Sequence, residues 1–139
     1  MKQFLEVDVY GKCGNLSCHN DLNNGDPANL CYDLLRTSYK FYLALENSLC
    51  EDYLSEKFYN SLAHAVVPVV LSGADLSLLA PPHSFINVED FNSTSELAEF
   101  LISLAGDEER LASYFWWTDY YKVVVMATVS LCHVATVSL

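Results

Sequence analysis

Basic residues are scarce. Lysine and arginine together number 7 of 139 residues, against 18 aspartates and glutamates. The resulting formal net charge of −11 argues against nucleic acid and against an anionic membrane surface as partners, because both reward basic patches. It leaves room for one small anionic ligand held by a local cluster. A C-x-x-C pair is missing as well. The five cysteines stand at 13, 18, 31, 50 and 132, and Cys13 to Cys18 is too loose for a common zinc knuckle. His19 and His133 each lie beside a cysteine, but no second ligand pair has zinc spacing, so no metal site is expected. The opening residues do not read as a signal peptide: Met1-Lys2-Gln3-Phe4 runs straight into a strand-like stretch with no n-region, h-region or cleavage site. The chain therefore reads as beginning inside a fold, as a fragment, a partial gene model or an unusual isoform. Charge is nearly absent from Val123 to Leu139, yet these 17 residues are marginal for a span, which needs roughly 20. Ser, Thr, Cys and His dilute them further, and Ala-Thr-Val-Ser-Leu occurs twice, at 127–131 and 135–139. The expectation is a domain over 1–122 followed by an added apolar tail over 123–139.

What is present suits one domain with a real core. A composition of 52% hydrophobic and 18% charged residues argues against disorder, and a domain of this length buries roughly 68% of its unfolded surface. Two sequons, Asn15-Leu16-Ser17 and Asn92-Ser93-Thr94, make Asn15 and Asn92 glycosylation candidates and, with the cysteines, lean toward an oxidising compartment. The odd cysteine count leaves at least one thiol unpaired within the chain.

Alternation from Phe4 to Tyr10 predicts a strand ending at Gly11. Residues 11 to 30, rich in Gly, Asn, Asp and Ser, predict a long loop, and Tyr32 to Arg36 a short helix. Phe41 to Leu45 is a compact apolar run that predicts a buried strand. Leu54, Phe58, Leu62 and Ala65 then mark an amphipathic helix with Ser55 as N-cap. Val66 to Leu71 is a second buried strand, with Pro68 near its start, turned by Ser72-Gly73-Ala74. Phe85 to Val88 is a further short strand. A helix capped by Thr94 or Ser95 runs through Leu104, and Asp107 to Trp116 reads as one more, its acidic start favoured by the helix dipole. This order predicts βα units on a parallel sheet, an α/β, Rossmann-like, doubly wound domain. His64 reads as a packed or surface histidine, His83 as a loop residue, and Trp116 and Trp117 as core or domain-interface aromatics.

Chemistry concentrates between residues 39 and 73. In open α/β sheets, ligands bind beyond the carboxyl ends of the strands. Asn47 follows such an end, and Glu56 and Lys57 open the next helix. A cation in a first helical turn opposes the macrodipole at a cost of about 0.3–1 kcal/mol. An anion bound there, such as a diphosphate, would reverse that sign. Glu56 could accept two hydroxyls of a sugar diol, and Tyr53 could stack on a ring or donate to phosphate. The same residues also admit a plainer account: a solvated Glu56–Lys57 pair worth under about 1 kcal/mol, a turn asparagine and a core tyrosine.

The run Tyr39-Lys40-Phe41-Tyr42-Leu43-Ala44-Leu45-Glu46-Asn47, then Tyr53-Leu54-Ser55-Glu56-Lys57, then Pro68-Val69-Val70-Leu71-Ser72-Gly73, resembles the donor-binding motif of the α1,3-fucosyltransferases, glycosyltransferase family 10. Val7 to Gly14, Ala80 to Val88 and Tyr114 to Trp117 extend the similarity over roughly residues 5 to 122. The resemblance implies the GDP-fucose-binding Rossmann-like half of a two-domain GT-B fold, with Asn47, Tyr53, Glu56 and Lys57 on the donor. Lys57 would meet the diphosphate and Glu56 the hydroxyls of the nucleotide's sugar. The implied reaction is inverting transfer of fucose to the 3-hydroxyl of N-acetylglucosamine in a glycan acceptor, without a bound metal or other cofactor, in the Golgi lumen of a type II membrane protein. The acceptor half with its general base, the membrane anchor and the family's C-terminal cysteine pair are not found in these residues. The expectation is an incomplete copy that binds GDP weakly and transfers little fucose; the alternative is a non-catalytic nucleotide-sugar-binding remnant.

Overall fold

The computed structural model describes residues 3–10, 14–16, 34–123 and 134–137. Strand β1 is Val7–Tyr10. A short helix, α1, covers 34–38. Strand β2, Phe41–Leu45, leads to helix α2, Glu56–Ala63, and to strand β3, Val67–Leu71. Helix α3, Leu76–Leu79, strand β4, Ile86–Asn87, and a 3₁₀ turn, Val88–Asp90, follow. Helices α4, Thr94–Ala105, and α5, Glu108–Ala112, precede a second 3₁₀ segment, Ser113–Asp119, and strand β5, Val134–Val137.

The alternation of side chains along a strand divides the core in two. Phe41 and Leu43 of β2 and Val67 and Val69 of β3 join Leu97, Leu101 and Leu104 of α4 in one cluster. Tyr42, Ala44 and Val70 join Leu35 of α1 and Phe58 and Leu62 of α2 in the other. Both faces of β2 and β3 are thus covered, which is why these strands read as continuous apolar runs. Fully burying Phe41 or Phe58, each 0% exposed, contributes about 1.5–3 kcal/mol. Lys40 closes one end of this sandwich: its Nζ donates to the Ala105 carbonyl at 2.6 Å, a cation at the C-terminus of α4 where the dipole favours it.

The sheet order is β1-β5-β2-β3-β4. β2 pairs with β3 and β3 with β4 in parallel, while β5 runs antiparallel to both β1 and β2. Residues 134–137 of the apolar tail therefore lie inside the sheet, not beside the domain; the rest of that tail beyond Val123 is outside the described residues. In backbone register Val137 pairs with Val7 on one side and Phe41 on the other. No helix among the described residues is long and apolar enough to cross a membrane.

Several boundaries differ from the sequence expectation. The first strand starts at Val7, because residues 3–5 turn and Phe4 is left 47% exposed. The short helix runs on to Ser38, two residues past the expected end at Arg36, and the expected start at Tyr32 lies outside the described residues. β4 stops at Asn87, whose Oδ1 accepts the Glu89 N–H at 3.2 Å and starts the 3₁₀ turn. The cap of α4 is Ser93, neither Thr94 nor Ser95: its Oγ accepts the Glu96 N–H at 3.1 Å. The helix expected over Asp107–Trp116 breaks at Ser113 into a 3₁₀ segment. Helix α3, with Asp75 as its cap, was not expected. The expected loop over 11–30 lies outside the described residues except at 14–16.

Candidate functional site

Sequence chemistry pointed to the carboxyl ends of β2 and β3. There the chain leaves β2 through Glu46 and Asn47 and returns to α2 at Ser55. Ser55 is the N-cap, in extended conformation, and its Oγ accepts the Lys57 N–H at 3.4 Å. Lys57 is buried, 8% exposed. Its Nζ donates to the Leu45 carbonyl at 3.0 Å and to Asn47 Oδ1 at 3.3 Å. Asn47 and Lys57 are thus brought together, as expected, on a spacing of ten residues.

The residue that organises the group is Glu46, which sequence reasoning left as a strand end. Its side chain is 0% exposed, with Oε2 at 3.7 Å from Lys57 Nζ. Oε1 accepts from both the Ser55 N–H at 2.7 Å and the Ser55 Oγ–H at 2.8 Å. Oε2 is buried without a hydrogen-bond partner among the described residues. The conflict of a cation in the first turn of α2 is therefore already relieved from within: the anion at this helix start is the carboxylate of Glu46. Lys57 Nζ thus donates to Leu45 and Asn47, stands 3.7 Å from Glu46 Oε2, and leaves 10% of its side chain exposed to solvent. The signal that could have found Glu46 was the same helix-start conflict, which demands a nearby anion of any origin.

Tyr53 and Glu56 are placed differently. The Tyr53 ring is 41% exposed, and the residue meets the site through its carbonyl, which accepts from Ser72 Oγ at 2.6 Å. Glu56 is half-buried beside Lys57 at the first position of α2. Just past Gly73, a cleft of about 380 Å³ lies between the start of α3 and the end of β4, lined by Asp75, Ser77, Asn87, Glu89 and Asp90 among others. A second cleft, about 410 Å³, holds His83, Asp90 and Tyr114. Burial there pushes the Tyr114 phenol above its ordinary value, and the Arg110 charge acts in the opposite direction. His83, an exposed loop residue as expected, stacks on the Tyr114 ring at 4.0 Å and shares a 3.1 Å hydrogen bond with Ser113 Oγ. Trp117 is buried, while Trp116 is 41% exposed and donates to the Pro82 carbonyl. Asn15 and Asn92 are both exposed, and Asn92 binds Glu96 through its backbone and its amide. Among the described residues no cluster of three His, Cys, Asp or Glu could hold a metal ion.

Parallel strands covered on both faces, with a polar loop folded over their carboxyl ends, make up a Rossmann-like half of a GT-B fold. The crystal structure of an α1,3-fucosyltransferase with GDP-fucose shares that fold, at TM-score 0.50 and 23% identity, over 64% of this chain and 25% of that one. The chain belongs to glycosyltransferase family 10: the family's fucosyltransferase C-terminal model matches residues 1–137, past the expected domain end at 122. Alpha-(1,3)-fucosyltransferase C of Drosophila melanogaster is 45% identical over 123 residues, 88% of this chain and 28% of that protein. Glycoprotein 3-alpha-L-fucosyltransferase A of the same species is 41% identical, over 92% of this chain and 26% of its own length. The chain thus spans little more than a quarter of the relatives it matches.

Proposed function

We propose that this chain holds the GDP-fucose donor of an inverting α1,3-fucosyltransferase, which passes fucose to the 3-hydroxyl of an N-acetylglucosamine unit in a glycan. The observation that carries the reading is the Asn47–Lys57 pair at the carboxyl end of β2, bonded at 3.3 Å in a domain matched by the family model. Lys57 offers its third ammonium hydrogen and its charge to the diphosphate. The charge that grows on departing GDP is met by that fixed cation, an electrostatic contribution that needs no reorganisation at the moment of transfer. Glu56 and the exposed Tyr53 ring border the same loop, Glu56 for the hydroxyls of the nucleotide's sugar and Tyr53 for a ring or a phosphate. Donor binding on this account needs no metal. The place of action is the Golgi lumen, with Asn15 and Asn92 as N-glycosylation sites.

The internal Glu46–Lys57 pairing favours a second reading, in which Lys57 is a structural bolt and touches no ligand. Calorimetric titration with GDP separates the two. A charged hydrogen bond to phosphate is worth about 1.5–3 kcal/mol, so Lys57→Met is expected to weaken GDP binding roughly 10- to 100-fold. Equal affinity in the variant would leave only the bolt.

A further inference from the structure

The loop from Glu46 to Ser55 does not hang free over the sheet. The Glu46 N–H donates to the Leu71 carbonyl at 3.0 Å, which carries the β2–β3 pairing one residue past the strands. In mid-loop the chain lies directly on the turn after β3. A Cβ built on Gly73 would overlap the Cys50 carbonyl oxygen and sit 2.6 Å from that of Leu49. Nothing but hydrogen fits between these backbones. Beside it, buried Ser72 ties the far side of the loop: its Oγ donates to the Tyr53 carbonyl at 2.6 Å and accepts the Ala74 N–H at 3.1 Å. The Tyr53 N–H donates to the Cys50 carbonyl at 3.2 Å, folding the loop's second half upon itself. Asp52, at φ 58°, takes the left-handed conformation within that fold.

We propose that Ser72 and Gly73 are positioning residues, forming a seat that fixes the 46–55 loop and so holds Asn47 in reach of Lys57 in the geometry that binds the donor. The inference rests on the donor reading above and adds to it the reason a glycine must follow β3. A methyl group at 73 has backbone on the other side, which cannot swing away as a side chain would, so the loop itself must lift. Misplacement of a binding group by about 1 Å is enough to cost large factors in function.

The test uses the full 139-residue chain, Gly73→Ala and Ser72→Ala, with amide NMR spectra, amide exchange and GDP titration. In Gly73→Ala the amides of residues 47–53 are expected to shift and exchange faster, those of Phe41–Ala44 and Val67–Val70 to stay in place, and GDP affinity to fall roughly tenfold or more. Ser72→Ala removes two hydrogen bonds without overlap, and is expected to act in the same direction about threefold. It decides the matter should Gly73→Ala fail to fold. Unchanged loop amides, or a displaced loop with unchanged GDP affinity, would overturn the seat. A chain that binds no GDP even unsubstituted, or binds it equally as Lys57→Met, sinks the donor reading instead, and the loop amides still report whether the seat exists.

Discussion

Glu46 shows how one side chain can settle what its neighbours do. A carboxylate taken wholly out of water is costly unless it is paired and hydrogen-bonded, and here one oxygen closes the loop on Ser55 while the other faces the ammonium of Lys57. Removing one member of such a pair leaves the other buried and uncompensated. Glu46→Ala is therefore expected to destabilise the fold by about 3 kcal/mol, read from urea unfolding; a loss under about 0.5 kcal/mol would mean that the pair does not hold this corner together. The sequence made Lys57 legible as an anomaly, a cation where the helix dipole repels it. It did not make the remedy legible. A glutamate followed by asparagine after an apolar run has the look of a surface turn, and only the return of the chain at Ser55 shuts it away from water. Tyr53 adds a contact that a motif does not display: its carbonyl accepts from Ser72 Oγ.

At the level of elements, legibility follows how local the deciding interaction is. β2 matches its apolar run from Phe41 to Leu45, because a strand covered on both faces reads as a continuous apolar run. Ser55 was readable as a cap since no rival stands beside it, whereas Ser93-Thr94-Ser95 offers three candidates and only the bond to Glu96 selects the first. α3 escaped notice because four residues give no periodicity to read. The end of α2 carries a strain that the sequence hides. Ala65 sits at φ 54°, the left-handed conformation in which a Cβ costs roughly 1–2 kcal/mol and which glycine usually fills after a helix. Glycine gives back part of that through the entropy of the unfolded chain. Ala65→Gly is thus expected to raise stability by about 0.5–1 kcal/mol, measured by thermal or urea unfolding; a loss of stability would show that the methyl group makes a packing contribution larger than the strain.

Across the whole molecule the unexpected feature is β5. The parallel core of β2, β3 and β4 was foreseeable from βα alternation, but nothing in an unbroken apolar tail with a repeated pentapeptide distinguishes a strand from an appendage. The strand matters because it is bonded on both sides: Thr136 pairs with Asp8 and with Tyr42. A proline there cannot donate to the ladder, and Thr136→Pro is expected to cost about 2 kcal/mol or more, with β1 amides losing exchange protection first. Retained protection of β1 would contradict the pairing. Among the described strands β1 has no partner but β5, and that has a consequence for biosynthesis. During synthesis β1 is made before β5, and the edge that β5 covers waits unsatisfied until residue 137 has been made. Throughout that interval the nascent chain presents two open strand edges, those of β1 and β2, to any extended segment nearby. This sheet is therefore at its most vulnerable to misassembly just before β5 closes it.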